Sequence, residues 1–225
     1  MPLRPEVLVL DVNETLSDLE PLRLRFEQVG LPAHALDAWF AATLRDGFAL
    51  TAAGSYAPFR DVASDVLRTL LAIHRVDHAG AVDQVLAGFT ELPPHADVGP
   101  GLRRIHDQGV RLVTLTNGAT SVSDRMLSDA GVLPVLEHRL SVDEPQRWKP
   151  HPDAYRYAAE VCGVEPAKMA LVAVHPWDID GARRAGLAGV WVDRKRMPYP
   201  GAFLPPSLQV SDLGHLADTL AGAAS

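Results

Sequence analysis

Four short groups of polar residues, each following a predicted strand, could together supply an active site. They comprise residues 11–15, 116–118, 149–150 and 175–178, and they offer carboxylate, hydroxyl, amide, ammonium and imidazole groups. A carboxylate can attack a carbon or phosphorus atom and form a covalent ester, although it needs activation to do so. Each group alone is weak evidence, because Asp, Asn, Thr and Gly are also common in turns.

Unbroken apolar runs precede these groups and predict strands that are buried on both faces of a parallel sheet. The runs are residues 7–10, 110–115, 169–174 and 190–192, with a further short strand predicted near 140–142. Helical patterns lie between them, at residues 102–108, 121–130, 153–161 and 178–185. Strands that alternate with helices predict βαβ units, and ligands of such sheets bind beyond the carboxyl ends of the strands. We therefore expect the four polar groups to converge.

The segment between the first strand and residue 98 breaks this alternation. It contains helical patterns only, at residues 22–29, 35–52, 61–73 and 81–89. We predict an α/β fold whose core is a Rossmann-like, doubly wound parallel sheet formed by residues 1–16 and 98–225. Residues 17–97 are predicted to form a helical cap inserted after the first strand, and Pro93-Pro94 a stiff return linker.

Composition favours a globular enzyme of the cytoplasm. The 225 residues are 47% hydrophobic and carry a formal net charge of −7, and their densest basic cluster is only residues 194–196, so nucleic acid is not expected as a partner. No apolar stretch approaches the roughly 20 residues that span a membrane, and residues 1–5 lack the features of a signal peptide. The single cysteine, Cys162, excludes an intrachain disulfide and is expected to be a buried, inert thiol.

The order Asp, Thr, Lys, Asp at successive strand ends resembles the four motifs of the haloacid dehalogenase superfamily. Within it, the sequences Asp-x-x-x-Thr, Leu-Thr-Asn-Gly, Trp-Lys-Pro-His-Pro-Asp-Ala-Tyr and Trp-Asp-x-x-Gly-Ala are most similar to the L-2-haloacid dehalogenase (type II) branch. The resemblance covers residues 6–193, and the helical insertion falls where that branch carries its cap. It implies an active site in the cleft between core and cap, and a homodimer is plausible on the same ground.

The resemblance implies a role for each of four candidate catalytic residues. Asp11 is the nucleophile that forms the ester, and Lys149 keeps its carboxylate ionised, since an adjacent cation lowers the pKa of a carboxyl group. Thr15 hydrogen-bonds the nucleophile, although it could instead cap a helix. Asp178 orients Lys149 or positions the water that cleaves the ester.

Other residues are expected on the substrate side of the site. Thr116 and Asn117 are predicted to donate hydrogen bonds to the substrate carboxylate or to the leaving group, and Tyr155 matches a tyrosine near the nucleophile. Phe40 and Trp177, together with Trp39, would line a pocket for a compact, partly apolar substrate.

Two positions distinguish halide displacement from phosphate-ester hydrolysis. Phosphatases of the superfamily have a second aspartate two residues after the nucleophile and an acidic pair in the fourth motif, which binds Mg²⁺. Here Asn13 stands at the first position and cannot deliver a proton, and Ala173, five residues before Asp178, offers no side-chain oxygen. A departing halide needs neither a proton nor a metal, so we predict a metal-independent enzyme without a cofactor. It would act on a small 2-haloalkanoic acid.

The sequence also departs from the dehalogenase branch. Asn13 replaces an aromatic residue, and His175 stands in the fourth motif, where it could be a general base or could shape its loop. The arginine that holds the leaving halide on the cap is absent, because Trp39 is followed by Phe40; Arg45 and Arg60 are possible substitutes. A magnesium-dependent phosphatase, or a non-catalytic descendant that binds an anion or a protein, therefore remain alternatives.

Overall fold

The computed structural model describes residues 3–224, and its centre is a six-stranded sheet whose neighbouring strands are all parallel. The strands are β1 (Val7–Leu10), β2 (Arg111–Thr116), β3 (Leu136–Ser141), β4 (Met169–Ala173), β5 (Ala188–Val192) and β6 (Leu208–Val210). Their order, β3-β2-β1-β4-β5-β6, is that of a Rossmann-like, doubly wound sheet. The predicted fold class is confirmed.

Nine α-helices accompany the sheet in the described part of the chain. Between β1 and β2 lie α1 (Leu22–Gln28), α2 (Ala35–Ala52), α3 (Phe59–Ile73), α4 (Ala81–Phe89) and α5 (Val98–Asp107). The later helices are α6 (Thr120–Asp129), α7 (Pro152–Cys162), α8 (Pro176–Arg184) and α9 (Leu213–Ala224). The first four lie where the sequence predicts the insertion, and the division of the chain into core and cap domains stays a prediction.

The strands are buried because their side chains alternate between two hydrophobic clusters. Val7 and Val9 of β1 belong to the cluster that also contains the apolar residues of α1 to α4. Leu8 and Leu10 point to the opposite face, where they join the apolar residues of α5 and α9. Successive side chains of a strand point to opposite faces of the sheet, so one short strand serves both clusters. This burial fixes the position of the residue that follows β1.

Trp148 joins the helices of the insertion to the sheet. Its side chain is fully buried, its backbone N–H donates to Thr51 Oγ1 over 3.2 Å, and its indole N–H donates to the carbonyl of Ala57 over 3.0 Å. The ring lies so close to α2 that a Cβ on Gly47 would be 2.3 Å from it. Only a glycine permits this approach.

No helix within residues 3–224 is both long and apolar enough to cross a membrane. Cys162 is buried as expected, and this burial raises the pKa of its thiol. Two elements were not anticipated from the sequence, namely β6 and α9, and β3 begins at Leu136, earlier than residue 140.

We expect Gly47→Ala to destabilise the protein by about 1–3 kcal/mol, because the added methyl group overlaps the Trp148 ring. Gly201→Ala is the control, since nothing lies within 4 Å of a Cβ there. The free energy of unfolding, measured with urea, tests this expectation. A gain of about 1 kcal/mol from the better helix propensity of alanine would contradict the tight contact.

Candidate active site

Asp11 follows β1 directly, at the point where the strand order of the sheet reverses. In doubly wound sheets this switch point is where ligands bind. The backbone N–H of Asp11 donates to the carbonyl of Val172 on β4 over 3.0 Å, so both neighbouring strands hold the residue in place. Its carboxylate accepts hydrogen bonds at both oxygens, from Lys149 Nζ at Oδ1 over 2.7 Å and from Thr15 Oγ1 at Oδ2 over 2.6 Å.

Lys149 is fully buried and its ammonium group bridges two carboxylates. Nζ lies 2.7 Å from Asp11 Oδ1 and 2.7 Å from Asp178 Oδ2. Burial alone would lower the pKa of a lysine, but the two carboxylates outweigh it and raise the pKa of Lys149 above its ordinary value. The side chain therefore stays protonated in the interior.

The two carboxyl groups respond differently to this environment. Burial would raise the pKa of Asp11, but Lys149, His175 and Thr15 together hold that pKa below its ordinary value. Burial dominates at Asp178 and raises its pKa, despite the opposing effect of Lys149. The surroundings thus favour the ionised form of Asp11, the candidate nucleophile, more strongly than that of Asp178.

Asn117 positions the backbone of Lys149. Its Oδ1 accepts from the N–H of Lys149 over 2.8 Å and its Nδ2 donates to the carbonyl of the same residue over 3.3 Å. Asn117 therefore helps to place the lysine. Its Nδ2 carries a second hydrogen, and the predicted donation to the substrate or the leaving group stays a prediction.

Tyr155 contacts Asp178 rather than the nucleophile. Its hydroxyl donates to Asp178 Oδ1 over 2.5 Å, and burial together with this carboxylate raises the pKa of Tyr155 well above its ordinary value. The approach requires a glycine on α8, because a Cβ at Gly181 would lie 2.6 Å from the tyrosine oxygen. Both oxygens of Asp178 are consequently occupied, one by Lys149 and one by Tyr155.

Thr15 does not cap a helix. Its hydroxyl donates to Asp11 and accepts from the backbone N–H of Val174, over 3.1 Å. A hydroxyl group can do both, so this residue joins the nucleophile to the segment after β4. The predicted contact between Thr15 and Asp11 is present.

Thr116 and Asn13 lie on the other side of the nucleophile. Thr116 is buried at the end of β2, and its Oγ1 accepts from the backbone N–H of Gly118 over 3.0 Å. Both residues line a cavity of about 270 Å³ that α3, α4 and the start of α6 enclose. Their predicted contact with the substrate stays a prediction.

His175 lies beside the nucleophile. Its Nε2 is 3.8 Å from Asp11 Oδ2, 3.7 Å from Glu14 Oε2 and 3.2 Å from the carbonyl oxygen of Asn13, and its side chain is 12% exposed. The ring stacks on Trp177, with centroids 5.0 Å apart, and lies 6.3 Å from the ring of Phe40. Three predicted residues thus form one aromatic group next to Asp11.

Glu14 and Trp148 were not predicted as residues of the site. Glu14 has a φ of 62°, a left-handed conformation that is uncommon for a residue other than glycine. Its carbonyl oxygen lies 3.0 Å from His95 Nε2. Its place between Asp11 and Thr15 was the one available signal. For Trp148 the signal was its position directly before the lysine.

Neither arginine proposed for the cap reaches the nucleophile. The side chain of Arg45 is 71% exposed and pairs with Asp46, whereas that of Arg60 is 69% exposed and lies 3.6 Å from Asp83. Arg60 stands at the rim of the cavity described above. Phe40, which follows Trp39 where the arginine was expected, lies next to His175, the residue beside Asp11.

The donor set does not fit Mg²⁺. Among the described residues, no group of three or more His, Cys, Asp or Glu side chains is arranged to hold a metal ion. Asp11 and Asp178 are the carboxylates at the strand ends, and the ammonium group of Lys149 lies between them, where a shared cation would bind. Mg²⁺ prefers oxygen ligands in octahedral geometry, and Ala173, five residues before Asp178, offers no side-chain oxygen to such a site.

We expect Lys149→Met to destabilise the protein by about 3–5 kcal/mol near neutral pH, because it leaves two buried carboxylates without their cation. In the variant, burial raises the pKa of both carboxyls above their unfolded values, so they destabilise the fold when ionised and cease to do so when protonated. The difference from the unchanged protein should therefore shrink between about pH 7 and about pH 5. Urea unfolding at both pH values measures it.

Lys168→Met is the matched control, since that lysine pairs with Glu6 on the surface. It should leave the free energy of unfolding nearly unchanged. An equal effect of the two substitutions, or a loss at Lys149 that grows as the pH falls, would contradict the buried ion triad.

Comparisons with known proteins agree with this geometry. The sequence model of the haloacid dehalogenase-like hydrolase family matches residues 6–186. (S)-2-haloacid dehalogenase 4A of Burkholderia cepacia is 29% identical over 216 residues, which cover 95% of this chain and 94% of that protein. (S)-2-haloacid dehalogenase of Pseudomonas sp. (strain YL) is 28% identical over 173 residues, which are 75% of each chain.

A solved structure of an L-2-haloacid dehalogenase is also similar to this protein. The crystal structure of the L-2-haloacid dehalogenase RSc1362 superposes with a TM-score of 0.90 at 26% identity, covering 98% of this chain and all of that one. The family match extends over most of the sequence, and the resemblance to the L-2-haloacid dehalogenase branch is confirmed. The chain belongs to the haloacid dehalogenase-like hydrolases.

Proposed function

We propose that the protein is a hydrolase of carbon–halide bonds that displaces halide from (S)-2-haloalkanoic acids through an ester on Asp11. The observation that carries this proposal is the ionised, buried carboxylate of Asp11 held by Lys149 and Thr15. The relatives named (S)-2-haloacid dehalogenase support the substrate class. A small-molecule carboxylate is thus the expected partner, and a homodimer in the cytoplasm stays a prediction.

In the first step, an oxygen of Asp11 attacks the carbon that carries the halogen. The new carbon–oxygen bond forms as the carbon–halogen bond breaks, and the electron pair of that bond leaves with the halide. No proton is transferred in this step. The low pKa of Asp11 keeps the nucleophile ionised, and exclusion of water leaves its charge less solvated and more reactive.

In the second step, water attacks the carbonyl carbon of the ester. The bond between the carbonyl carbon and the ester oxygen breaks, and the departing alcohol oxygen takes one proton of the water. The alcohol product keeps the oxygen that came from Asp11, while the oxygen from water enters the carboxylate of Asp11. One proton is released overall, together with the halide and the 2-hydroxy acid. A base beside Asp11 would take this proton from the water.

His175 is our candidate for that base. Its ring lies beside Asp11 and is in part accessible. Nε2 faces the carbonyl oxygen of Asn13 as a donor, so Nδ1 is the nitrogen that would accept the proton. Asp178 is less suited, because it is fully buried and its two oxygens bind Lys149 and Tyr155. We therefore assign Asp178 to the placement of the lysine and His175 to the water.

The alternatives are not favoured. A phosphatase of this family would need a proton donor and a magnesium site, whereas Asn13 and Ala173 supply neither. A non-catalytic binding protein would not need an ionised carboxylate and a lysine paired over 2.7 Å in the interior. Burial of such a pair costs desolvation free energy, which can exceed the free energy gained from the attraction of the two charges.

We expect release of halide from short 2-haloacids, fluoroacetate included, to persist in EDTA, because the displacement needs no metal. Asp11→Asn should lower kcat/KM by about a thousandfold or more, since the amide is a far weaker nucleophile. Ion chromatography of halide measures both. Magnesium-dependent cleavage of p-nitrophenyl phosphate without any halide release would overturn the proposal.

We expect His175→Gln to slow ester hydrolysis more than ester formation, lowering kcat by about 10²- to 10⁴-fold, as removal of a general base does. One equivalent of halide per enzyme should then appear rapidly before slow turnover. His106→Gln, a surface change on α5, is the control. A slow first turnover without this initial release would show that the histidine acts before the ester forms.

A further inference from the structure

A cavity of about 270 Å³ lies beside the nucleophile and has no role in the two steps above. We call it the side-chain cavity, and define it by Asn13, Phe59, Leu86, Phe89, Thr116 and Val122, all of which line it. Helices α3 and α4 form its roof, and the end of β2 with the start of α6 forms its floor. It thus lies between the helices of the insertion and the sheet.

The cavity is close to the reacting group. Strands β1 and β2 are parallel neighbours with Leu10 opposite Thr114, so Val12, the residue after Asp11, lies beside Thr116. Both residues line the cavity. Neighbouring strands are about 4.8 Å apart, so a molecule whose C2 atom lies at Asp11 can extend a substituent into the cavity.

The roof of the cavity is aromatic and rigid. The ring of Phe59 stacks on that of Trp148, with centroids 5.6 Å apart, and on that of Phe89, with centroids 5.4 Å apart. Phe89 in turn packs edge-on against Trp39. Because this row of rings is buried and anchored at both ends, the cavity is preformed and apolar on that side.

The polar residues that line the cavity lie mainly at its floor and rim, and Thr90 follows α4 at the roof; the others are Asn13, Arg60, Thr116, Ser121, Ser123 and Asp143. Thr116 accepts from Gly118 and keeps its hydroxyl hydrogen available at the floor. Asp143 accepts from the hydroxyl of Tyr56, and Arg60 stands at the rim. A carboxylate near Thr116 with an apolar chain under the rings matches this distribution.

We propose that the side-chain cavity binds the substituent at C2 of the substrate, so that the protein prefers 2-haloacids with an alkyl chain of several carbons or an aromatic ring over haloacetates. This proposal rests on the proposed function. A volume of 270 Å³ holds roughly nine water-sized groups at about 30 Å³ each, which is more than a two-carbon acid fills. The apolar roof stabilises the rest of a longer chain.

The test is a series of (S)-2-chloro acids from two to eight carbons, with 2-chloro-3-phenylpropionate. We expect kcat/KM for chloride release to rise about fourfold for each added methylene until the cavity is full, which corresponds to roughly 0.8 kcal/mol per buried methylene. A kcat/KM that is constant or falls beyond three carbons would overturn the proposal.

Val122→Phe places a ring in the cavity from α6 and should lower the ratio of kcat/KM for 2-chlorohexanoate over that for chloroacetate by at least tenfold. Val161→Phe makes the same change on an exposed site of α7 and should leave the ratio unchanged. Circular dichroism checks that both variants fold. An unchanged ratio in Val122→Phe would also overturn the proposal.

Binding separates this proposal from the proposed function. Hexanoate should bind Asp11→Asn at least tenfold more tightly than acetate by calorimetry, and Val122→Phe should remove the difference. If no acid releases halide but this difference is present, the reaction is wrong and the cavity stands. If halide is released and hexanoate binds no better than acetate, the reaction stands and the cavity proposal is wrong.

Discussion

The ammonium group of Lys149, buried between the carboxylates of Asp11 and Asp178, is the interaction on which the rest of the site depends. Burial of charged groups costs several kcal/mol per ion, and attraction offsets this only with good geometry and further hydrogen bonds. Thr15 and Tyr155 supply those bonds at the remaining carboxylate oxygens. The fold must therefore bring side chains from the ends of β1, α7 and α8 and from the segment before α7 to one point.

One cation between two carboxyl groups leaves an excess of negative charge, and the surroundings favour ionisation of one carboxyl group more than of the other. Asp11 has hydrogen bonds from Lys149 and Thr15 and lies near His175, and its pKa is lowered. Asp178 is dominated by burial, and its pKa is raised. Pairs of titratable groups whose pKa values are driven apart have different roles in catalysis, which agrees with one nucleophile and one positioning residue.

Much of this arrangement was predictable from the sequence, for reasons that differ between residues. Apolar runs and their intervening helices indicate a parallel sheet, and the topology of such a sheet brings Asp11, Thr116 and Asp178 to one edge. Spacing does not specify which way a side chain points. The contact of Asn117 with the backbone of Lys149 was not predicted, because the direction of the side chain depends on tertiary packing.

The remaining differences have similar causes. Tyr155 contacts Asp178 because Gly181 lets α7 and α8 approach closely, and a sequence pattern does not reveal such a contact. Strand β6 is only three residues long and pairs at the edge of the sheet, so it has little periodicity to detect. The left-handed backbone of Glu14 likewise has no signature in residue type.

The position of Trp148 limits how the helices of the insertion can move relative to the sheet. The ring that locks α2 and α3 onto the sheet belongs to the residue directly before Lys149. A hinge opening that lifted the insertion would pull on the same peptide that aims the ammonium group, and would disassemble the charge arrangement at each turnover. The anchoring of the insertion and the alignment of the ammonium group therefore depend on adjacent residues of one short segment, and neither can move without the other.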